Sequence, residues 1–380
     1  MKKLLVLVSI ALLLGANFVS CSKKDAPVAA KAEPAKELTH DELVAGAKAE
    51  GKVVVYSITS RISSAAESFE KLYGVKVEYS NLKDGELIEK VTKEVGGKID
   101  GADFVISQDS GRVYGQLIAT GYLVNYVPQS MVNVIPKQYQ DPLIFQQINK
   151  VFIFNSEKTQ TPVIKNVWEA TDPKWKGLIQ FKDPNGEGVN MNFLTMITSP
   201  EWSAKLEKAY ENLYGKKLVL TTKNAGYEWI KLFYANGLVL GNSDTTISEN
   251  IGIKGQPATT MGLFVFSKMR FDASKNLALQ AITDVEPFSG FLYPAFVHLT
   301  ANAKHPNAAK LFIEYLLTQE GFAPWAKDVG SYSTNPGIPV NTDDFPLSFW
   351  EPRLVPEDPQ YLFEHRAEVE EFVNNIAYRK

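Results

Sequence analysis

Short runs of β-branched and apolar residues recur along this chain, each followed by a loop and then by a segment of helical periodicity. Lys52 to Tyr56 (KVVVY) is the clearest, a continuous apolar run of the kind a strand buried on both faces requires. Before it, Thr39 caps a helix to about Glu50 and Gly51 stops it. After it, Ser63 to Tyr73 reads as helix, Val75 to Tyr79 as strand, Gly85 to Val95 as helix, Ala102 to Ile106 as strand and Gly111 to Thr120 as helix. Such alternation specifies an α/β fold with a parallel sheet covered by helices on both faces. The pattern continues with strands at Val151 to Phe154, Leu178 to Phe181 and Leu238 to Leu240, and helices at Val189 to Thr198, Glu201 to Tyr214 and Asn224 to Ala235. A strand-rich stretch follows from Gly262 to Leu299, then helices at Asn307 to Leu317, Gly321 to Lys327 and Tyr361 to Tyr378. One sheet would hold so many strands uncomfortably, so two α/β lobes are expected.

The N-terminus is of another character. Lys2 and Lys3 precede an apolar run from Leu4 to about Leu14, too short to cross a membrane and built like a secretory signal peptide over residues 1–20. Cys21 is the single cysteine, so no internal disulfide can form. Phe18-Val19-Ser20-Cys21 resembles a bacterial lipobox, which implies cleavage before Cys21 and a lipid on its thiol. Residues 21–37, rich in Lys, Ala, Pro and Glu, then read as a flexible linker. The chain as a whole has a globular composition, 45% apolar and 22% charged, and its formal net charge of −3 gives no overall reason to bind nucleic acid.

Four stretches carry a resemblance over nearly the whole remaining chain: VVVYSITSR with FEKLYGVKVEY, GADFVISQDSG with LIATGYLVNY, DPKWKGLIQF, and NAAKLFIEYLLTQEG. In order and spacing they resemble the type II periplasmic solute-binding proteins of bacterial ABC importers, in the branch that includes ferric-iron binders and binders of phosphorylated sugars and phosphonates. The resemblance implies two doubly wound lobes joined by two crossing strands, near Lys150 to Phe154 and Phe288 to Leu299, with the ligand in the interlobe cleft. It implies a first lobe of residues 38–149 plus 295–380 and a second of 150–294. It further implies a monomer that hands a small solute to a permease and its ATPase, held to a membrane at the periplasm or cell surface by the lipid on Cys21, with no cofactor.

Ligands of open α/β sheets sit at the carboxyl ends of strands, where loops enter helices. That rule selects Ser57, Thr59, Ser60 and Arg61 after the first strand, where hydroxyls, free N–H groups and a guanidinium suit an anion. Ordinary capping by Ser and Thr is the competing reading. Ser107, Gln108 and Asp109 follow the strand Ala102 to Ile106 in the same way, as Lys182, Asn185 and Gly186 follow Leu178 to Phe181, and Ser243, Asp244, Thr245 and Thr246 follow Leu238 to Leu240. Direct contacts are expected from Ser57, Thr59, Ser107, Asn185 and Thr245, with Arg61 as the charge partner. Tyr227, Trp229, Phe291 and Tyr293 are candidates for an aromatic wall or for core, and Lys268 and Arg270 for an anion site or a solvated face.

Ferric-binding relatives hold the metal with adjacent tyrosines, and no Tyr-Tyr pair occurs here. Near the corresponding place stand Asp244, Thr245 and Thr246, and none of His40, His298, His305 or His365 falls in a candidate loop. An organic anion is therefore expected, with iron at a non-standard site as the alternative. Display as a surface antigen or adhesin is the alternative of another class. Catalysis is not expected, because no metal-ligand spacing, nucleophile elbow or P-loop is present.

Overall fold

The computed structural model describes residues 38–378, so the expected signal peptide, Cys21 and the expected linker lie outside the described residues. Among those described, the strands are β1 (Lys52–Ser57), β2 (Lys76–Asn81), β3 (Phe104–Ser107), β4 (Leu123–Val124), β5 (Ile144–Asn155), β6 (Ile179–Lys182), β7 (Val239–Gly241), β8 (Met261–Val265), β9 (Leu279–Ala281), β10 (Gly290–Thr300), β11 (Ser331–Ser333) and β12 (Leu354–Val355). They form one continuous sheet with the main order β2-β1-β3-β10-β5-β8-β6-β7. At each end the pairing is parallel, β1 with β2 and β3, and β6 with β7 and β8. The two long central strands β5 and β10 run antiparallel, with Gly290 opposite Val151 and Tyr293 opposite Ile148. The parallel sheet read from the sequence is thus a mixed one, since two parallel wings share an antiparallel middle.

Local signals account for the outer elements. Thr39 accepts from Glu42 N–H and Glu42 reaches back to Thr39 N–H, closing a capping box on helix His40–Glu50. Gly51 then takes φ +75°, which a residue with a side chain adopts at a cost. Both central strands are buried along almost their whole length. β5 is twelve residues long, yet only its apolar tail from Val151 was legible as strand, because Gln146, Gln147, Asn149 and Lys150 are polar and buried. They find partners inside: Gln146 Nε2 donates to Ser331 Oγ at 2.7 Å, and Asn149 Nδ2 to Tyr332 Oη at 3.3 Å. Paired in this way, a buried polar group avoids the desolvation penalty.

The final helix, Pro359–Tyr378, packs against the turn Ser110–Arg112 beside β3 and against helices Gly188–Met196 and Ala225–Ala235 beyond β6. Arg366 ties these sides together: its guanidinium pairs with Asp109 and donates to Asn192 Oδ1 at 3.0 Å. Glu357, just before the helix, likewise accepts from Ser110 and from Asn192 Nδ2.

Candidate functional site

Between the two wings of the sheet lies a cavity of about 850 Å³, lined by the loops after β1, β2, β3, β6, β7 and β8 and by residues near β11. Of the residues selected from the sequence, Thr59, Ser60, Arg61, Gln108, Lys182, Gly186, Ser243, Asp244 and Thr245 line it. The other five have different surroundings. Ser57 is buried and bonds within its own turn to Thr59, donating to its carbonyl and accepting from its N–H, each at 3.2 Å. Ser107 is buried behind the wall. Asp109 is engaged by Arg366, Asn185 is exposed and donates to Asn374 Oδ1 at 2.8 Å, and Thr246 is exposed. Lys268, Arg270 and Tyr293 also face the cavity, whereas Tyr227, Trp229 and Phe291 belong to the core.

Charge is sorted within the cavity. At one end Arg61 pairs with Asp328, and Arg270 Nη1 reaches the same carboxylate at 3.2 Å. Lys268 stands beside them without a carboxylate in ion-pair range among the described residues. Burial and the repulsion of Arg270 pull its ammonium down to about 8. Burial, opposed by Asp328 and aided by Arg61, lowers Arg270 as well. Two guanidinium groups thus share one carboxylate and Lys268 has none in ion-pair range among the described residues, which leaves surplus positive charge on the cavity wall.

At the other end Lys150 and Lys182 meet Glu187 and Asp244. Lys150 Nζ lies 3.2 Å from Glu187, 3.3 Å from Asp244 and 2.8 Å from Asn190 Oδ1, while Lys182 pairs with Glu187 and approaches Asp244 at 3.2 Å. Burial alone would raise Asp244, but Lys150 and Lys182 hold it well below the usual carboxylate range. The same pairing raises Lys182 against its own burial. Two cations and two carboxylates balance here, and Glu187 and Asp244 also line the cavity. Tyr293 is buried beside it, its phenol pushed well above the ordinary value by burial and by Glu187.

Several cavity residues escaped sequence reasoning. Asp84 follows β2, and the carboxyl-end rule that selected the other loops would have found it had it been applied to that strand. Glu187 lies one residue beyond the selected loop. Lys150 sits inside a strand, and Asp328 follows a helix, so neither carried a signal. The sequence places Asp244 in a loop, whereas Ser243 accepts from Thr245 N–H at 3.1 Å and starts helix Asp244–Gly252. No histidine lines the cavity: His305 bonds Asp103 at 2.9 Å, and burial lowers His298 to about 4, keeping it neutral. Among the described residues no cluster of three or more His, Cys, Asp or Glu has metal-binding geometry.

The family model for bacterial extracellular solute-binding proteins matches residues 64–346. This chain belongs to that family. Among curated proteins, none matches the solute-binding protein significantly. Solved structures similar to it include iron-bound HitA from Pseudomonas aeruginosa, at 17% identity and TM-score 0.64, covering 86% of this chain and 99% of that one. The periplasmic binding protein AfuA from Actinobacillus pleuropneumoniae, solved with exogenous fructose-6-phosphate, is similar at 19% identity and TM-score 0.65, covering 86% and 97%. A putative spermidine/putrescine ABC transporter protein from Listeria monocytogenes follows at 15% identity and TM-score 0.58, covering 87% and 100%. At these identities the likeness establishes the fold, two α/β lobes joined by crossing strands as in type II periplasmic binding proteins. β5 and β10 are the strands expected to cross. Among the described residues of this solute-binding protein, no helix is long and apolar enough to cross a membrane.

Proposed function

We propose that this solute-binding protein is the substrate-binding component of an ABC importer and that its solute is a small phosphorylated organic anion. The observation that carries the reading is the cluster of Arg61, Lys268 and Arg270 around the single carboxylate of Asp328 on the cavity wall. A phosphomonoester carries close to two negative charges at neutral pH, and guanidinium forks bind its oxygens in pairs. Thr59, Ser60, Ser243 and Thr245 add hydroxyls suited to a sugar or polyol. The fructose-6-phosphate in the AfuA structure is consistent with this choice. The protein binds and releases its solute unchanged, as a monomer, for delivery to a permease and its ATPase.

The proposed lobes are residues 38–149 with 295–380, and 150–294, closing by hinge motion at β5 and β10. Cleavage before Cys21 and lipid on its thiol would keep the receptor on a membrane at the periplasm or cell surface, within reach of the importer; mass spectrometry of the purified protein detects both. The ligand reading is tested by isothermal titration with glucose-6-phosphate, glucose, spermidine and ferric citrate. Glucose-6-phosphate should bind, and Arg61→Ala should weaken it at least tenfold. Binding of ferric citrate alone, or an unchanged affinity in the variant, removes the anion reading.

A further inference from the structure

Asp84 opens helix Asp84–Gly96 on the wall that faces Glu187, and its carboxylate Oδ1 is fully buried with no hydrogen-bond partner among the described residues. Lys150 and Lys182, the cations whose charge acts on it, are already matched by Glu187 and Asp244. Asp84 is therefore a surplus carboxylate in the same cavity as the surplus cations of Arg61, Lys268 and Arg270. A buried acceptor without a partner is unfavourable, so a site that holds one is suited to receive a donor.

We propose that the cargo is zwitterionic: a small phosphorylated compound that also bears a protonated amine, its ammonium seated on Asp84 and Glu187 while its phosphoryl group sits on Arg61, Lys268 and Arg270. The inference rests on the phosphorylated-anion reading above and adds the second charge. Three observations support it together. The unpartnered oxygen points to a donor, and a cation answers a carboxylate more strongly than a neutral hydroxyl does. Asp84 and Glu187 line the same cavity as Arg61, Lys268 and Arg270, which matches a ligand bearing both charges. That cavity measures about 850 Å³, so one small ligand can reach both groups. Amino sugar phosphates and aminoalkyl phosphates carry both charges on one small molecule.

The electrostatics of Asp84 agree. Burial, then Glu187 and Asp109, raise its carboxyl well above the usual range, against the opposing pull of Lys182 and Lys150. A cation from the ligand would oppose that rise.

The test is titration of the purified protein with two matched pairs, glucosamine-6-phosphate against glucose-6-phosphate and 2-aminoethyl phosphate against ethyl phosphate. In at least one pair the amine-bearing member should bind at least tenfold more tightly. Asp84→Asn, with folding verified by its melting curve, should bring the ratio within a pair close to one, and Glu187→Gln should reduce it. Equal affinity within both pairs overturns the amine while leaving the phosphate reading in place. Failure of every phosphorylated probe overturns both, and tight binding of ethanolamine alone overturns the pairing of charges.

Discussion

Lys268 concentrates the electrostatics of the cationic end in one titratable group. Its ammonium has lost hydration to burial and has Arg270 beside it, so it gives up its proton near 8 in the unliganded protein. A phosphoryl group placed on it would restore the preference for the charged form. The sign follows: the binding-competent charged lysine predominates below about 8 and is lost above it, so affinity should fall as pH rises. A one-unit rise in the lysine's value on complexation corresponds to about tenfold in affinity. Glucose-6-phosphate titrated at pH 7 and pH 9.5 should show a loss approaching that size. Lys268→Arg should flatten the profile, because a guanidinium stays charged throughout. A wild-type profile that is flat over this range removes Lys268 from the site.

At the scale of elements, the final helix couples parts of the molecule that the cavity separates. Arg366 holds Asp109 on the β3 side and Asn192 on the β6 side, and Tyr227 donates to Glu368 farther along the same helix. Arg366→Ala removes one tie and leaves Asp109 buried without its cation, an arrangement that typically costs about 3–5 kcal/mol. The melting temperature should fall, and small-angle scattering of the unliganded variant should show a larger radius of gyration. An unchanged radius would mean that β5 and β10 alone set the angle between the wings. Most outer elements were legible in the sequence because their signals are local, as with Thr39 and Gly51 around the first helix. The crossing strand β5 was legible only from Val151 onward, since Gln146 to Lys150 are accommodated by partners more than 30 residues away. The candidate site divides in the same way. Loops that leave strands, such as Thr59 to Arg61, carried a signal, whereas Asp328 reaches the cavity through tertiary packing and carried none.

For the whole molecule, the continuity of the sheet outweighs its division into lobes. One apolar core runs from Val55 and Phe104 on one wing through Phe152 and Phe291 to Phe181 and Trp229 on the other. Heat should therefore unfold the described part as a single cooperative unit, with calorimetric and van't Hoff enthalpies in agreement. Two resolved transitions would show that the wings melt independently. The sheet order also has a consequence in time. β3 pairs with β1 on one side and on the other with β10, which follows it by more than 180 residues. Any route that delivers the chain from its N-terminus, whether ribosome or translocase, leaves Phe104–Ser107 with an open edge until Gly290–Thr300 emerges. An open edge invites pairing with other chains. Through most of its delivery this protein is a half-built sheet in need of an escort, and the arrival of one late strand ends that need.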